Sequence, residues 1–489
     1  MIRRSLAIVA ALALASCAVG PDFQKPAAPA GAGYTPEKLA DTASTDIAGG
    51  AAQHFAVGQD IPGEWWTLFH SPALNALVTE ALAHNPDLAA AQASLREARE
   101  TALASEGGLF PSINGSVQHE RERFNGASIG NPKSSGIFSF NTAEVTVAYS
   151  PDVFGGVRRG VEAAEAAADY QRFQLEAAYL TLTSNVVGAA VQEASLRAQI
   201  AATQEIVKAE SDQLGLLNRQ FELGAVARSA VLQQAATLAQ EKATLPPLEK
   251  QLAQQRDRIA ALAGRFPNQP PGQTFELASL TLPQDVPVSL PSRLVEQRPD
   301  VRAAEATLHQ ASAEIGVAIS NMLPQFPLSA DIGTEATELG SLFSSGTGIW
   351  SVVAGVTQPL FRGGTLLHEK RAADAAFDAA AAQYRGTVLT AFQNVADSLR
   401  ALQSDADALQ ADTAAERSSA ESLDLARDQY RLGAVSYLTL LNAETTYQQT
   451  RIALVQAQAA RYADTAALFQ ALGGGWWHRT DVAQNQSGN

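Results

Sequence analysis

The side chains able to carry chemistry do not cluster in this 489-residue chain. Its seven histidines lack the spacing with which two histidines on one helix face hold a metal ion, and its glycines form no Gly-Lys-Ser/Thr loop that would cradle a phosphate. The two methionines, Met1 and Met322, cannot form a thioether relay for soft metals. The sequence therefore predicts no catalytic residue, no metal site and no cofactor, and it indicates a protein that is not an enzyme.

One residue has a clear chemical role, and it is Cys17, the single cysteine. Two arginines precede an apolar stretch at 6–15, and small residues stand directly before the cysteine, as in a bacterial signal that is cleaved and lipidated. An ordinary signal peptide with an incidental cysteine is the alternative. We expect residues 1–16 to be a lipoprotein signal peptide, and residues 17–64 to be a tether held by acyl chains. Ala18, which is not an aspartate, indicates sorting to the outer membrane by resemblance to bacterial lipoproteins.

Composition narrows the class of protein further. A net charge of −15 argues against a nucleic-acid partner, because such a partner requires a basic surface. Only 7% of the residues are aromatic, while Ala, Gln and Leu dominate, and this favours long close-packed helices over a β-sandwich core. After the signal, the chain offers no run of about 18 apolar residues, so we expect no membrane-spanning helix.

The elements of the chain are arranged around a stretch that occurs twice. It runs RQFELGAVARSAVL at 219–232 and DQYRLGAVSYLTLL at 428–441, with a long helical pattern before and after each copy. A glycine directly after a leucine is a common helix stop, because the position beyond the helix end favours a positive φ. We predict two helical hairpins with tips at about 219–230 and 428–439. The residues at the two tips are Leu223 and Gly224, and Leu432 and Gly433.

Between the helices the hydrophobic period changes to that of a β-strand. Apolar and polar residues alternate in two pairs of segments, which predicts β-hairpins at about 111–150 and 324–360. Strands of about ten residues that are apolar on one side and polar on the other fit a transmembrane hairpin. A half-buried hairpin of a soluble domain has the same pattern and is the alternative.

The chain is an internal tandem repeat of helix, hairpin, closing turn and tip. The helix start at Pro86 is matched by that at Pro299, and a kink or break is expected at Pro246-Pro247 in the helix after the first tip. The expected domains are repeat 1 at 65–270, a Pro-rich crossover at 271–295, repeat 2 at 296–475 and a C-terminal tail at 476–489.

The predicted strands require an oligomer if they cross a membrane. Four strands per chain cannot close a barrel, and an open sheet edge cannot face lipid. Two chains would give eight strands around a lumen filled by side chains, and three chains would give twelve strands around a hollow bore.

Short motifs along the chain are specific through their order and spacing. They are Cys17, Gly20-Pro21-Asp22-Phe23, Trp65-Trp66, Asn85-Pro86-Asp87-Leu88, Arg298-Pro299-Asp300-Val301, the two tips and Gly473-Gly474-Gly475-Trp476. In these motifs, over nearly its whole length, the chain resembles the outer-membrane factors, the TolC/OprM-like channels, and among them the NodT-type outer-membrane efflux lipoproteins.

The resemblance implies an α+β membrane protein and a homotrimer. Four transmembrane strands per chain would contribute to a twelve-stranded β-barrel, continued by a long periplasmic α-helical barrel. The function implied is that of a lipid-anchored exit duct in the outer membrane, which passively conducts drugs or other small toxic compounds. Its partners would be a periplasmic adaptor docked around the two tips and an inner-membrane transporter of the resistance-nodulation-division type. The alternatives are a type I protein secretion duct and, in a different class, a soluble periplasmic scaffold of coiled helices.

The resemblance also implies a periplasmic gate at the second tip. A family stretch of the form YRxGxxxYLTLLDAQ corresponds to Tyr430, Arg431 and Leu438 in this chain. Tyr430 would hydrogen-bond or stack across the neighbouring hairpin. Arg431 would pair with a carboxylate, either Glu222 or Glu444. Leu438 would form an apolar constriction of three equivalent side chains. Ordinary hairpin packing with a solvated arginine is the alternative.

One gate position departs from the family pattern. Asn442 stands where many relatives have an aspartate. A ring of three carboxylates favours cations at close range, so a ring of three asparagines predicts weaker cation selectivity. Glu444, two positions further on, is expected to point to another side of the helix.

Overall fold

A computed structural model describes residues 18–29, 33–37, 39–125, 130 and 136–479. Cys17 and the predicted signal peptide lie outside these residues. The chain divides into two compact units. The first unit contains Ser94–Gln171 and Ala304–Tyr384 with the first residues up to Lys25, and the second contains Pro26–Ala93, Arg172–Ala303 and the chain from Arg385 onwards.

Helices make up most of the described residues. They are α1 (Pro72–His84), α2 (Pro86–Glu106), α3 (Gly156–Glu222), α4 (Arg228–Leu262), α5 (Pro291–Gln297), α6 (Pro299–Ser320), α7 (Thr365–Arg431) and α8 (Tyr437–Ala471). The repeat is exact in the length of the long helices, since α3 and α7 each have 67 residues and α4 and α8 each have 35. Within the described ranges, none of these helices has the length and apolar character needed to cross a membrane.

The start of α2 at Pro86 agrees with the sequence-based prediction, and the residue before it caps the helix. Asn85 Oδ1 accepts hydrogen bonds from the backbone N–H groups of Asp87 at 3.0 Å and Leu88 at 3.1 Å, and Pro86 occupies the first helical position. A cap of this kind contributes about 1 kcal/mol. Asn85 Nδ2 also donates to the carbonyl of Leu262 at 3.1 Å, so the same side chain fixes the start of α2 to the end of α4.

The interruption expected at Pro246-Pro247 is not found, because α4 continues through both prolines. A proline inside a helix leaves the carbonyl four residues earlier without its donor. Those carbonyls belong to Lys242 and Ala243, which are exposed, as are the prolines. A break is avoided because water can satisfy these carbonyls, which lowers the cost of keeping the helix intact; the kink stays a prediction.

The strands form two separate sheets. They are β1 (His54–Val57), β2 (Ser112–Phe124), β3 (Gly136–Tyr149), β4 (Asp285–Val288), β5 (Leu328–Ala336) and β6 (Gly348–Ala354). In the first unit the order is β2-β3-β5-β6, and all neighbours are antiparallel. The β2–β3 and β5–β6 hairpins correspond to the two hairpins predicted from the alternating pattern. Their junction, β3 with β5, joins repeat 1 to repeat 2 in a single sheet.

The register divides the four-stranded sheet into an apolar face and a polar face. Val145, Ile332 and Trp350 are direct neighbours across three strands, and they are 42%, 67% and 77% exposed. On the opposite face Glu144 accepts a hydrogen bond from Ser116 at 3.3 Å, and Asp331 accepts one from Ser351 at 2.9 Å. An exposed apolar surface of this kind marks contact with a membrane or a partner.

The second unit contains the parallel pair β1–β4, which was not predicted. Segments 17–64 and 271–295 were expected to form an irregular tether and crossover, yet Phe55 pairs with Val286. Each strand has only four residues, too few to show a period, and its pairing partner lies more than 200 residues away, so neither sequence signals the pair. Close to these strands the core holds fully buried aromatic rings, and Trp65 packs on Phe469 with 5.5 Å between ring centroids.

Candidate functional site at the helical tips

Both tips end a long helix with the same backbone motif. The φ angles of Gly224 and Gly433 are 73° and 75°, in the left-handed region that favours glycine. At the first tip the N–H of Ala225 donates to the carbonyl of Gln220 at 2.8 Å, and the N–H of Gly224 donates to the carbonyl of Phe221 at 2.9 Å. The second tip repeats this pair at 2.8 and 3.0 Å. These are Schellman motifs, and the prediction that glycine stops each helix is confirmed.

Tyr430 lies at the end of α7 and packs within its own hairpin. Its ring contacts that of Tyr437 on α8 edge to face, with 6.0 Å between centroids and 62° between planes. It also packs against a small buried cluster of Leu423, Ala426 and Leu440. Within the described chain the ring partner of Tyr430 thus lies on α8 of the same hairpin, and its contact across a neighbouring hairpin stays a prediction.

The ion pairs near the second tip differ from those expected. Arg431 Nη1 lies 3.2 Å from Asp428 Oδ1, one turn earlier on the exposed side of α7. Glu444 Oε1 lies 3.9 Å from Arg427 Nε. Within the described part of the chain Arg431 thus pairs with Asp428, and its pairing with Glu222 or Glu444 across a neighbouring hairpin stays a prediction. Arg427 faces the interior of the hairpin beside Glu444, whereas Arg431, one turn later, lies at the tip and is exposed.

The other predicted tip residues are exposed. Leu438 is 57% exposed, and Leu223 and Leu432 at the ends of the helices are 85% and 83% exposed. Asn442 lines a groove of about 330 Å³ between α7 and α8, whereas Glu444 is 5% exposed. The expectation that these two positions face different sides of the helix is confirmed.

A buried polar network, absent from the sequence-based predictions, joins the two hairpins. We call Glu210, Gln234, Tyr437 and Gln448 the tip network. Gln234 Nε2 on α4 donates to the backbone carbonyl of Glu210 at 3.1 Å and to its carboxylate. Gln448 Nε2 on α8 donates to Glu210 Oε1 at 3.0 Å, and the Tyr437 hydroxyl donates to Gln234 Oε1. Glu210 and Gln234 are 2% and 0% exposed, so these hydrogen bonds are shielded from water.

Two carboxyl groups share this shielded region. Burial raises the pKa of Glu444 to about 7, with repulsion from Glu210 adding to the rise and Arg427 opposing it. Burial also raises the pKa of Glu210; the hydrogen bonds of the tip network oppose this rise, and Glu241 adds to it. Both carboxyl groups line a cavity of about 150 Å³. Since the neutral form of Glu444 is favoured, the packed arrangement takes up a proton as the pH falls.

The helical spacing of its residues on α8 could have predicted this network. Tyr437, Glu444 and Gln448 stand at positions i, i+7 and i+11, which share one face of α8. That face is buried, so polar side chains on it require partners. Leu438 and Asn442 lie on other faces, and the resemblance to the family directed the prediction to them instead.

The residues after Cys17 have fixed positions in the first unit. The N–H of Val19 donates to the carbonyl of Phe154 at 2.9 Å, just after β3. Arg159, which is 5% exposed, donates to the carbonyl of Val19 at 3.1 Å and pairs with Asp22 at 2.7 Å. The chain that follows the predicted lipidation position is therefore held close to one end of the sheet.

Known proteins resemble this chain in sequence and in fold. The family described as "Outer membrane efflux protein" matches residues 77–265 and 290–474, one segment in each repeat. The toluene efflux pump outer membrane protein TtgC of Pseudomonas putida is 29% identical over 490 residues, with 99% of this chain and 97% of TtgC covered. The cation efflux system protein CusC of Escherichia coli is 28% identical over 469 residues, with 95% and 98% covered.

Solved structures agree with the sequence comparison. The structure of the outer-membrane channel OprN has a TM-score of 0.84 and 27% identity, and it covers 94% of this chain and 100% of OprN. The resemblance stated from the motifs is confirmed, as is the internal repeat. Because the family match covers most of both repeats and the fold agrees, this chain belongs to the outer membrane efflux protein family.

Proposed function

We propose that this chain is the outer-membrane exit duct of a tripartite efflux pump. The observation that carries the proposal is the four-stranded sheet, which has an exposed apolar face, a polar face, and β2 and β6 as its two edges. A transmembrane barrel needs strands that are apolar towards lipid and polar towards the lumen. The sheet meets both requirements.

Three chains would close the barrel. An open edge leaves backbone groups without partners, which lipid cannot satisfy. In the proposed homotrimer β2 of one chain pairs with β6 of the next, and twelve strands surround a bore wide enough for solutes. The long helices α3, α4, α7 and α8 continue the duct as a helical barrel in the periplasm.

The lipidation position and the two helical tips suggest the membrane anchor and the partners in this proposal. Acyl chains on Cys17 hold the protein in the outer membrane, and the fixed segment after Cys17 supports this role. A periplasmic adaptor docks around Leu223-Gly224 and Leu432-Gly433, where exposed leucines offer apolar contacts. An inner-membrane transporter of the resistance-nodulation-division type selects the cargo. The names of TtgC and CusC refer to toluene and to cations, which are very different compounds. Such a difference among relatives suits a passive duct with no catalytic role.

The periplasmic mouth is closed at the second tip in this proposal. Tyr430, Arg431, Leu438 and Asn442 of three chains surround the axis. The tip network holds each α7–α8 hairpin against its α3–α4 hairpin, so opening breaks the hydrogen bonds of Tyr437 and Gln448. Conductance then depends on residues that are buried as well as on residues that face the pore.

Membrane fractionation combined with gene deletion tests the proposed function. The protein should be recovered from outer-membrane fractions as trimers that dissociate on heating, and deletion of the gene should sensitise the cell to at least one small toxic compound. A plasmid copy should restore resistance. Recovery of a monomer from the soluble periplasm would overturn the proposal in favour of a scaffold.

A further inference from the structure

Two arginines follow the apolar residues along one face of β2. Ile113 and Val117 lie on this face, and the alternation of the strand places His119, Arg121 and Arg123 on the same side. The His119 ring lies 2.7 Å from the side chain of Asn141, its direct cross-strand partner, which fixes the orientation of this part of β2. Both arginines are exposed.

The height of these arginines matches a membrane boundary. The pairing of β3 with β5 ends at Asn141 with Ala336, whereas Arg121 and Arg123 pair with β3 residues beyond that point. Along the strand, Arg121 and Arg123 are about 27 and about 34 Å from Ile113 at about 3.4 Å per residue, which is roughly 21 and 26 Å along the axis of a barrel whose strands tilt by about 40°. A transmembrane barrel carries an apolar band about 25 Å tall. The two arginines therefore lie where β2 leaves the hydrocarbon on the side of the hairpin loops.

Charge is separated between the two faces at this level. The neighbouring carboxylates of β2, Glu120 and Glu122, lie on the polar face by the same alternation. Glu338, just after β5, is the acidic residue of the adjoining loop. On the described strands, the charged side chains of the apolar face are thus cationic. Two arginines whose Cα atoms are about 7 Å apart on one strand face suit a headgroup that carries more than one phosphate.

We propose that Arg121 and Arg123 bind the phosphate groups of a phosphorylated glycolipid of the outer leaflet, whose acyl chains lie against Ile113 and Val117. A phosphorylated disaccharide headgroup matches the paired arginines, and its chains match the apolar surface that continues below them. The inference rests on the proposed function, because it requires the apolar face to lie in lipid. Three copies of the chain provide three such sites.

Lipid binding to the purified trimer tests this inference. Native mass spectrometry would follow titration with lipid A, dephosphorylated lipid A and phosphatidylglycerol. The R121Q/R123Q variant should bind lipid A about tenfold or more weakly, because each basic residue at a membrane surface contributes about 1 kcal/mol. The matched control is E120Q/E122Q on the opposite face of the same strand, which should bind lipid A as the unmodified protein does.

Three outcomes would overturn the inference. They are undiminished lipid A binding by R121Q/R123Q, equal binding of the dephosphorylated glycolipid, and equal binding of phosphatidylglycerol. Channel conductance of the same preparations separates this failure from a failure of the proposed function. If the trimer conducts but does not bind the lipid selectively, only the proposed glycolipid site is refuted. If it does not conduct, the proposed duct and the site that depends on it are both refuted.

Discussion

Glu444 is the residue whose protonation is coupled most directly to the packing of the tips. Its carboxyl group is buried beside Glu210, and its pKa is raised from 4.5 to about 7 by burial and by that neighbour, against the opposing charge of Arg427. A raised pKa means that the packed form binds more protons than the open form between the two values. The resulting stability is complete below about pH 4.5 and is lost as the pH rises through about 7.

The first prediction concerns the pH dependence of opening. The open probability in planar bilayers should be lower at about pH 5.5 than at about pH 8, and E444Q should remove most of this difference because its side chain stays neutral. E222Q is the control, since Glu222 is exposed at the first tip. An unchanged pH response in E444Q would show that another group controls the opening.

The second prediction concerns Asn442 and ion selectivity. N442D would place three carboxylates around the axis of the trimer, and such a ring favours cations at close range. Reversal potentials measured across a salt gradient should therefore shift towards greater cation selectivity in N442D and stay unchanged in N442Q. If N442D conducts with unaltered selectivity, Asn442 does not face the pore.

At the scale of elements, the glycine turns control the shape of the tips. Gly433 has a φ of 75°, where a residue with a side chain costs about 1–2 kcal/mol. The third prediction is that G433V, like G224V, forms trimers but loses pump-dependent resistance, because the tip no longer fits its partner. Unheated gel electrophoresis and resistance measurements check the two parts.

The matched control for the glycine turns lies inside α7. Gly386 is within a regular helix, and a Cβ added there would meet open space. G386A should therefore retain resistance and add about 0.5–1 kcal/mol of helix stability. Normal resistance in both G433V and G224V would contradict the role given to the tips.

The parts of the fold that depend on local sequence could be predicted. Gly224 and Gly433 predict the helix ends, and the alternation along β2, β3, β5 and β6 predicts the two faces of their sheet. Contacts between distant segments could not be predicted, since Gln448 and Glu210 are 238 residues apart and neither position signals the other. The uninterrupted α4 shows a further limit, because the cost of a helical proline depends on whether water reaches the freed carbonyls.

At the scale of the whole molecule, the two repeats have different roles. Each supplies one β-hairpin to the sheet and one helical hairpin to the tips, yet the tip network is asymmetric. The α3–α4 hairpin contributes the buried acceptor Glu210, and the α7–α8 hairpin contributes the donors Tyr437 and Gln448. In the proposed trimer the second repeat therefore carries the gate residues, and the tip network joins it to the first repeat.

Single-channel conductance of the purified trimer, compared with that of Y437F, tests this account most directly. Loss of the Tyr437 hydroxyl removes about 1 kcal/mol from the closed form, which should raise the open-to-closed ratio about fivefold. Y447F serves as the control, since Tyr447 packs against the same apolar cluster. We predict discrete channels for all three proteins, with Y437F open more often. Absence of channels, or equal opening of Y437F and Y447F, would contradict a duct closed by the tip network.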